Sequence, residues 1–134
     1  MFQPMLSLII WTSVVWCLMY ATRLPAMHRA GIDARAIKRK EDLDSLPIPV
    51  KQIADNYNHL HEQPTVFYAL ALMTQVAGLS DSTNVSLAWT YVGLRVVHSI
   101  VQCFFNYVPL RFGLFVLSSV TLFAIIGRLA TAIY

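Results

Sequence analysis

Residues 95–111 read RVVHSIVQCFFNYVPLR. Arg95, His98, Ser99, Gln102 and Asn106 follow steps of three, one, three and four, so most of them fall on one helical stripe. The remaining faces carry Val96, Val97, Ile100, Val101, Phe104 and Phe105. The apolar character begins near Val85, which predicts a helix over 85–107 with one polar face in otherwise lipid-compatible surroundings. Asn106-Tyr107-Val108-Pro109 then leads straight into a second apolar run over 110–133, and so short a link predicts a tight antiparallel hairpin. Arg95 lies about ten residues inside its helix, roughly 15 Å along the axis at about 1.5 Å per residue. An arginine there costs at least about 2.5–3.5 kcal/mol on insertion scales, so it must face an ion pair, a polar cavity or another subunit.

The rest of the chain fits a membrane setting. Of 134 residues, 57% are hydrophobic and 13% charged, too apolar for an ordinary soluble domain. A first run, 5–22, has no basic flank ahead of it and too long an apolar stretch for a secretory signal, so it reads as a retained span. A second helix is expected over 50–78, with a polar half, KQIADNYNHLHEQP, followed by an apolar half, TVFYALALMTQVAGL. Four spans of about 20 residues each leave no room for a separate soluble domain. The expected architecture is an all-α integral membrane protein, a four-transmembrane-helix bundle forming one domain over residues 1–134. So small a bundle has little interior, and its polar helix faces are expected to pack against partner subunits.

Charge sets the expected topology. Seven of the ten Lys and Arg residues lie between Arg23 and Lys51, so the net charge of +3 is a loop bias and not a nucleic-acid surface. The loop over 23–49 reads as a solvated cytoplasmic connection with a face suited to lipid headgroups, closed by Pro47 and Pro49. The turn over 78–84 carries Asp81 and no cation, which suits the outer side and puts both termini outside. Arg128, near the end of the fourth span, is expected to snorkel outward. Cys17 and Cys103 fall in apolar runs and read as packing residues, without a disulfide framework.

The second helix supplies counterparts to the stripe. Asp55, Asn58, His61, Glu62 and Thr65 follow helical spacing, and Glu62 is the carboxylate nearest the membrane interior. Measured from the outer helix ends, Glu62 falls level with Gln102 and one turn below His98, within reach of either; Arg95 lies further away. Pro64 is expected to kink the helix there. Arg95, His98 and Arg111 form a cationic cluster suited to a ligand with carboxylates or phosphate and an apolar end. An arginine can also stabilise a bound thiolate. His-Leu-His-Glu over 59–62 lacks the i, i+4 spacing of a helix-borne zinc pair, so no metal is expected. The bland alternatives are that Arg95 clamps a carboxylate and that the polar stripe is interhelical glue. A proton relay through Arg95, His98 and Glu62 is disfavoured, because the chain has no internal repeat for alternating access.

The hairpin residues Arg95-Val-Val-His98, Gln102 and Val108-Pro109-Leu110-Arg111, with NHLHEQPTVFYAL over 58–70, resemble the MAPEG family, membrane-associated proteins in eicosanoid and glutathione metabolism. Within it the chain resembles a divergent, bacterial-type member, which implies a bacterial inner membrane location. The resemblance implies a homotrimer with active sites between subunits, glutathione as cosubstrate near the cytoplasmic side and a lipophilic substrate entering from the bilayer. It makes Arg111 the catalytic, thiol-activating residue. It makes Arg95, His98, Gln102, Glu62, Asn58 and Asn106 the glutathione-binding residues. The implied function is a glutathione-dependent transferase or peroxidase acting on lipophilic electrophiles. The alternative is a non-catalytic membrane trimer that binds a lipid or a protein partner. The chain departs from the family's synthases at Gln102, where they have tyrosine, and at Phe112, where one has serine. Its Asn58 to Glu62 gap is one residue longer, and it lacks their arginines just before the asparagine.

Overall fold

A computed structural model describes residues 1–33, 35 and 37–134; of the loop over 23–49, residues 34 and 36 lie outside the described residues. Among the described residues five α-helices follow one another: α1 Phe2–Arg29, α2 Ile48–His59, α3 Gln63–Val76, α4 Ser82–Ile100 and α5 Val108–Ile133. A short 3-10 turn, Lys40–Leu43, precedes α2, and a π-helical turn, Val101–Phe105, ends α4. No strand occurs among the described residues. Among the described residues, two helices, α1 and α5, are long and apolar enough to cross a membrane.

The largest difference from the sequence expectation lies in the second helix. Residues 50–78 were expected to form one kinked helix; the chain instead breaks completely at 60–62, between α2 and α3. Pro64 is the physical reason. It has no N–H to return to Leu60, and its ring clashes with that carbonyl, so the earlier helix ends and a new one starts with proline in its first turn. The third span also ends differently, because a helix over 85–107 gives way to a π-turn after Ile100. There Asn106 N–H donates to the Val101 carbonyl at 2.7 Å, and Asn106 adopts a left-handed backbone with φ 48°.

α4 and α5 form the antiparallel hairpin, and α1 lies against α2, α3 and α4. Leu8 and Val15 of α1 meet Phe67 and Ala71 of α3, Ala88, Tyr91 and Val92 of α4, and Leu122 and Ile125 of α5. The Phe67 and Tyr91 rings stack with centroids 4.5 Å apart. At the end opposite the hairpin link, the Asp81 side chain caps α4 by accepting from Asn84 N–H at 2.7 Å. Arg128 donates from Nε to Asn84 Oδ1 at 2.8 Å and from Nη2 to Asp81 Oδ2 at 2.6 Å, so it does point toward that helix end.

The basic loop is not simply solvated. Leu43 and Leu46 fold back on Met27, with Ile32, Ile37 and Val50 around them, to make a small separate core. Lys38 and Arg39 N–H both donate to Asp42 Oδ2, at 2.8 and 3.0 Å. Those two bonds hold the Asp42 carboxyl below its usual range, because they favour the ionised form.

Candidate functional site

The helix break, the π-turn and the start of α5 meet at one end of the bundle and enclose a cavity of ≈ 320 Å³. Its size falls within the about 300–1,000 Å³ of small-molecule sites. Of the residues expected to form a site, Asn58, Glu62, Gln102, Asn106 and Arg111 line it. Each arrives by a local feature. Asn58 rides the last turn of α2, and Glu62 sits at the start of α3. The π-turn carries Gln102, and Asn106 closes that turn. Arg111 occupies the first turn of α5, where Pro109 stands without cost because that position needs no N–H partner.

Arg111 donates from Nη1 to Asn106 Oδ1, and its buried Nε has no hydrogen-bond partner. The buried Oε1 of Gln102 is likewise unpartnered. A buried polar atom without a partner is costly, about 1–3 kcal/mol. Both atoms belong to side chains that line the cavity.

Arg95 and His98 lie behind this cavity and do not line it. Arg95 is 1% exposed and gives Nη2–H to the backbone carbonyl of His59 at 2.8 Å. That carbonyl is at the end of α2, where the next turn of helix is missing, so Arg95 caps a broken helix. Its Nε and Nη1 have no partner. His98 is buried and faces the His59 ring edge-on, with centroids 6.3 Å apart.

Glu62 was expected to reach His98 or Gln102. It shares the cavity with Gln102, but its hydrogen bond runs to His59, Oε2 to Nδ1 at 3.1 Å. The break explains this, because ending α2 at His59 swings Glu62 back over the last turn. With Glu62 ionised, His59 Nδ1 is the donor. His59 thus touches Arg95 through its carbonyl, His98 through its ring edge and Glu62 through Nδ1.

The cavity also has walls that sequence reasoning did not select: Gln52, Asp55 and His59. Asp55 had been noted for its spacing and His59 only as a rejected metal ligand. Asn56 is a further omission. It is 0% exposed and donates from Nδ2 to Ser99 Oγ at 2.5 Å and to Cys103 Sγ at 3.3 Å, tying α2 to the end of α4. Its signal was present, since an asparagine one turn from buried Ile53 and Leu60 sits on the inward face. Cys103 is a buried packing residue against Met19 and Ile53, and Cys17 is exposed.

A second polar chain lies further along the bundle. Gln63 donates from Nε2 to Ser119 Oγ at 2.8 Å and accepts at Oε1 from Tyr91 Oη at 3.3 Å and Ser118 Oγ at 3.4 Å. It fastens the start of α3 to α4 and α5.

The sequence model of the MAPEG family matches residues 1–131. No curated protein and no solved structure matches the chain.

Proposed function

Because the chain belongs to the MAPEG family and is a membrane protein of that family, we propose that the cavity beside Arg111 binds glutathione and that the protein is a glutathione-dependent transferase or peroxidase for lipophilic electrophiles. The observation that carries this reading is Arg111 itself. It is held at the cavity wall by Asn106 and keeps a buried, unpartnered Nε. Glutathione supplies a thiol, and a guanidinium beside that thiol favours its ionised, nucleophilic form. Gln102 Oε1 accepts a hydrogen bond from the peptide, and the Glu62 and Asp55 carboxylates suit its ammonium group. Arg95 and His98 act one layer back, by holding the carbonyl and ring of His59 in place. The arrangement we propose has four spans, with α2 and α3 together making the second, and three copies in a homotrimer.

The test is glutathione titration of the purified full-length protein by calorimetry, with turnover of an apolar electrophile measured alongside. Arg111→Ala is expected to lower kcat/KM by about 10²–10³, the scale for loss of one donor to a developing anion. Absence of binding at millimolar glutathione would overturn the reading, as would an Arg111→Ala variant with unchanged binding and turnover.

One observation favours a second reading, a non-catalytic trimer that binds a lipid or a protein partner. Much of the polar inventory joins helix to helix, as in the Asn56–Ser99 and Gln63–Ser119 bonds, which is how polar residues act as interhelical glue. Under that reading Arg111→Ala changes thermal stability and leaves no activity to lose.

A further inference from the structure

A second cavity, ≈ 350 Å³, lies between the end of α1, the basic loop and the start of α2. Four cations line it: Arg23, Lys38, Arg39 and Lys51. Arg23 and Lys51 are half-buried, while Lys38 and Arg39 are exposed. Two carboxylates, Asp44 and Asp55, also face it. Lys51 gives one Nζ–H to the Asp44 backbone carbonyl at 3.0 Å and has further donors to offer. Among the described residues, Arg23, Lys38 and Arg39 enter no ion pair. The floor is apolar, formed by Ile37, Leu43 and Leu46, the residues that fold the loop back on α1.

We propose that this cavity is a site for a phosphate-bearing anion, of which the headgroup of an anionic phospholipid is the form a bilayer supplies. Charge and depth both point there, independently of the glutathione reading. The first is charge: cations outnumber carboxylates in a partly enclosed space, and arginine and lysine bind phosphate through several charge-assisted bonds. The second is depth. Arg23 stands about 21 residues beyond Phe2, roughly 32 Å along α1, which matches the about 30 Å of bilayer hydrocarbon. With α1 crossing the membrane, Arg23 and the cations beside it lie at the level of the headgroup phosphates, and the apolar floor, packed on Met27 one turn beyond Arg23, lies on their solvent side. A basic loop spread in solvent would attract such lipids only diffusely. The folded loop makes a discrete place for one.

The test equilibrates the full-length protein, in an uncharged detergent, with equal amounts of phosphatidylglycerol and phosphatidylcholine of identical chains. Native mass spectrometry then counts the lipids retained. Preferential retention of phosphatidylglycerol is expected. Arg39→Gln, an exposed position whose loss does not threaten folding, is expected to cut the preference about fivefold, the scale of one charge near an anionic surface. The Arg23→Gln/Lys51→Gln pair is expected to abolish it. Arg35→Gln, an exposed loop cation outside the cavity, is expected to leave it intact. Excess inorganic phosphate separates the sources: if it displaces the lipid, the same cavity accepts soluble phosphate, and if it does not, the lipid form is the ligand. Equal retention of the two lipids would overturn the proposal, as would equal loss of preference in Arg35→Gln.

Discussion

Asn106 combines two roles in one side chain. Its backbone takes the left-handed conformation that turns α4 into α5, and its Oδ1 holds the Arg111 guanidinium. Glycine adopts that backbone freely, whereas alanine pays about 1–2 kcal/mol. Asn106→Ala is therefore expected to melt earlier than Asn106→Gly, while both lower ligand affinity to the same degree, because both lose the Oδ1 contact. Melting curves and glutathione titrations of the two variants check this; unequal affinities would show that the side chain does not act through Arg111. Asn56 and Arg95 make a second comparison. Asn56 is fully buried with two donated bonds, so Asn56→Ala is expected to cost about 1–3 kcal/mol. Arg95 makes one bond and buries two unpartnered groups, so removing it also removes a desolvation cost. Arg95→Met is expected to change stability by less than about 1 kcal/mol, read from the same melting curves. A larger loss in Arg95→Met than in Asn56→Ala would refute the view of Arg95 as a cap with charge to spare.

At the scale of elements, the informative features are the places where helices stop. The gap between α2 and α3 exposes the His59 carbonyl to Arg95 and turns Glu62 back to His59. The π-turn after α4 brings Gln102 and Asn106 to the same cavity. The helical stripe from Arg95 to Asn106 was legible from spacing alone, but the two halves of it do different work, and the π-turn is the reason. No residue pattern in VQCFF announces an i→i−5 bond, so that division was not readable beforehand. The folded basic loop is another such element. Its small core rests on Met27, Leu43 and Leu46. Leu46→Ala removes a buried side chain, and a loss of about 2 kcal/mol or more in so small a unit opens it locally. Tryptic cleavage after Lys38 or Arg39 is expected to quicken at least about tenfold, while the main melting transition stays within a few degrees.

At the scale of the whole molecule, the surface is apolar and part of the interior is polar. Leu6, Ile10, Val14, Leu117, Val120 and Phe123 are exposed on α1 and α5, while Asn56, Arg95, Gln102 and Ser118 are buried. That distribution suits a hydrocarbon solvent, in which helices associate through packing and polar contacts and not by hiding apolar area. α1 and α5 exceed the bilayer thickness, whereas α3, with 14 residues, reaches only about 21 Å and needs α2 to complete a crossing. The proposed four-span topology puts the loop at Arg35 and the turn at Ser80 on opposite faces of the membrane. In a background lacking Cys17 and Cys103, single cysteines at those positions are expected to label from opposite sides of intact vesicles. Labelling from the same side would remove the second span.

Membrane residence, helical class and the polar face of the hairpin were all readable from the order of residues. The reason is local: within lipid, each backbone group must find its partner inside its own helix, so composition and period decide the element. The family resemblance was readable for a similar reason, because the Arg95–Arg111 motif is contiguous. Partnership among the polar residues was a different matter. Arg95 met a backbone carbonyl in place of a carboxylate, Glu62 met His59 in place of His98 or Gln102, and the buried asparagine was Asn56. Each outcome depends on where Pro64 ends one helix and where the π-turn shifts the register of another. A side chain's partner is set by the three-dimensional position of a distant backbone atom, and only packing fixes that position.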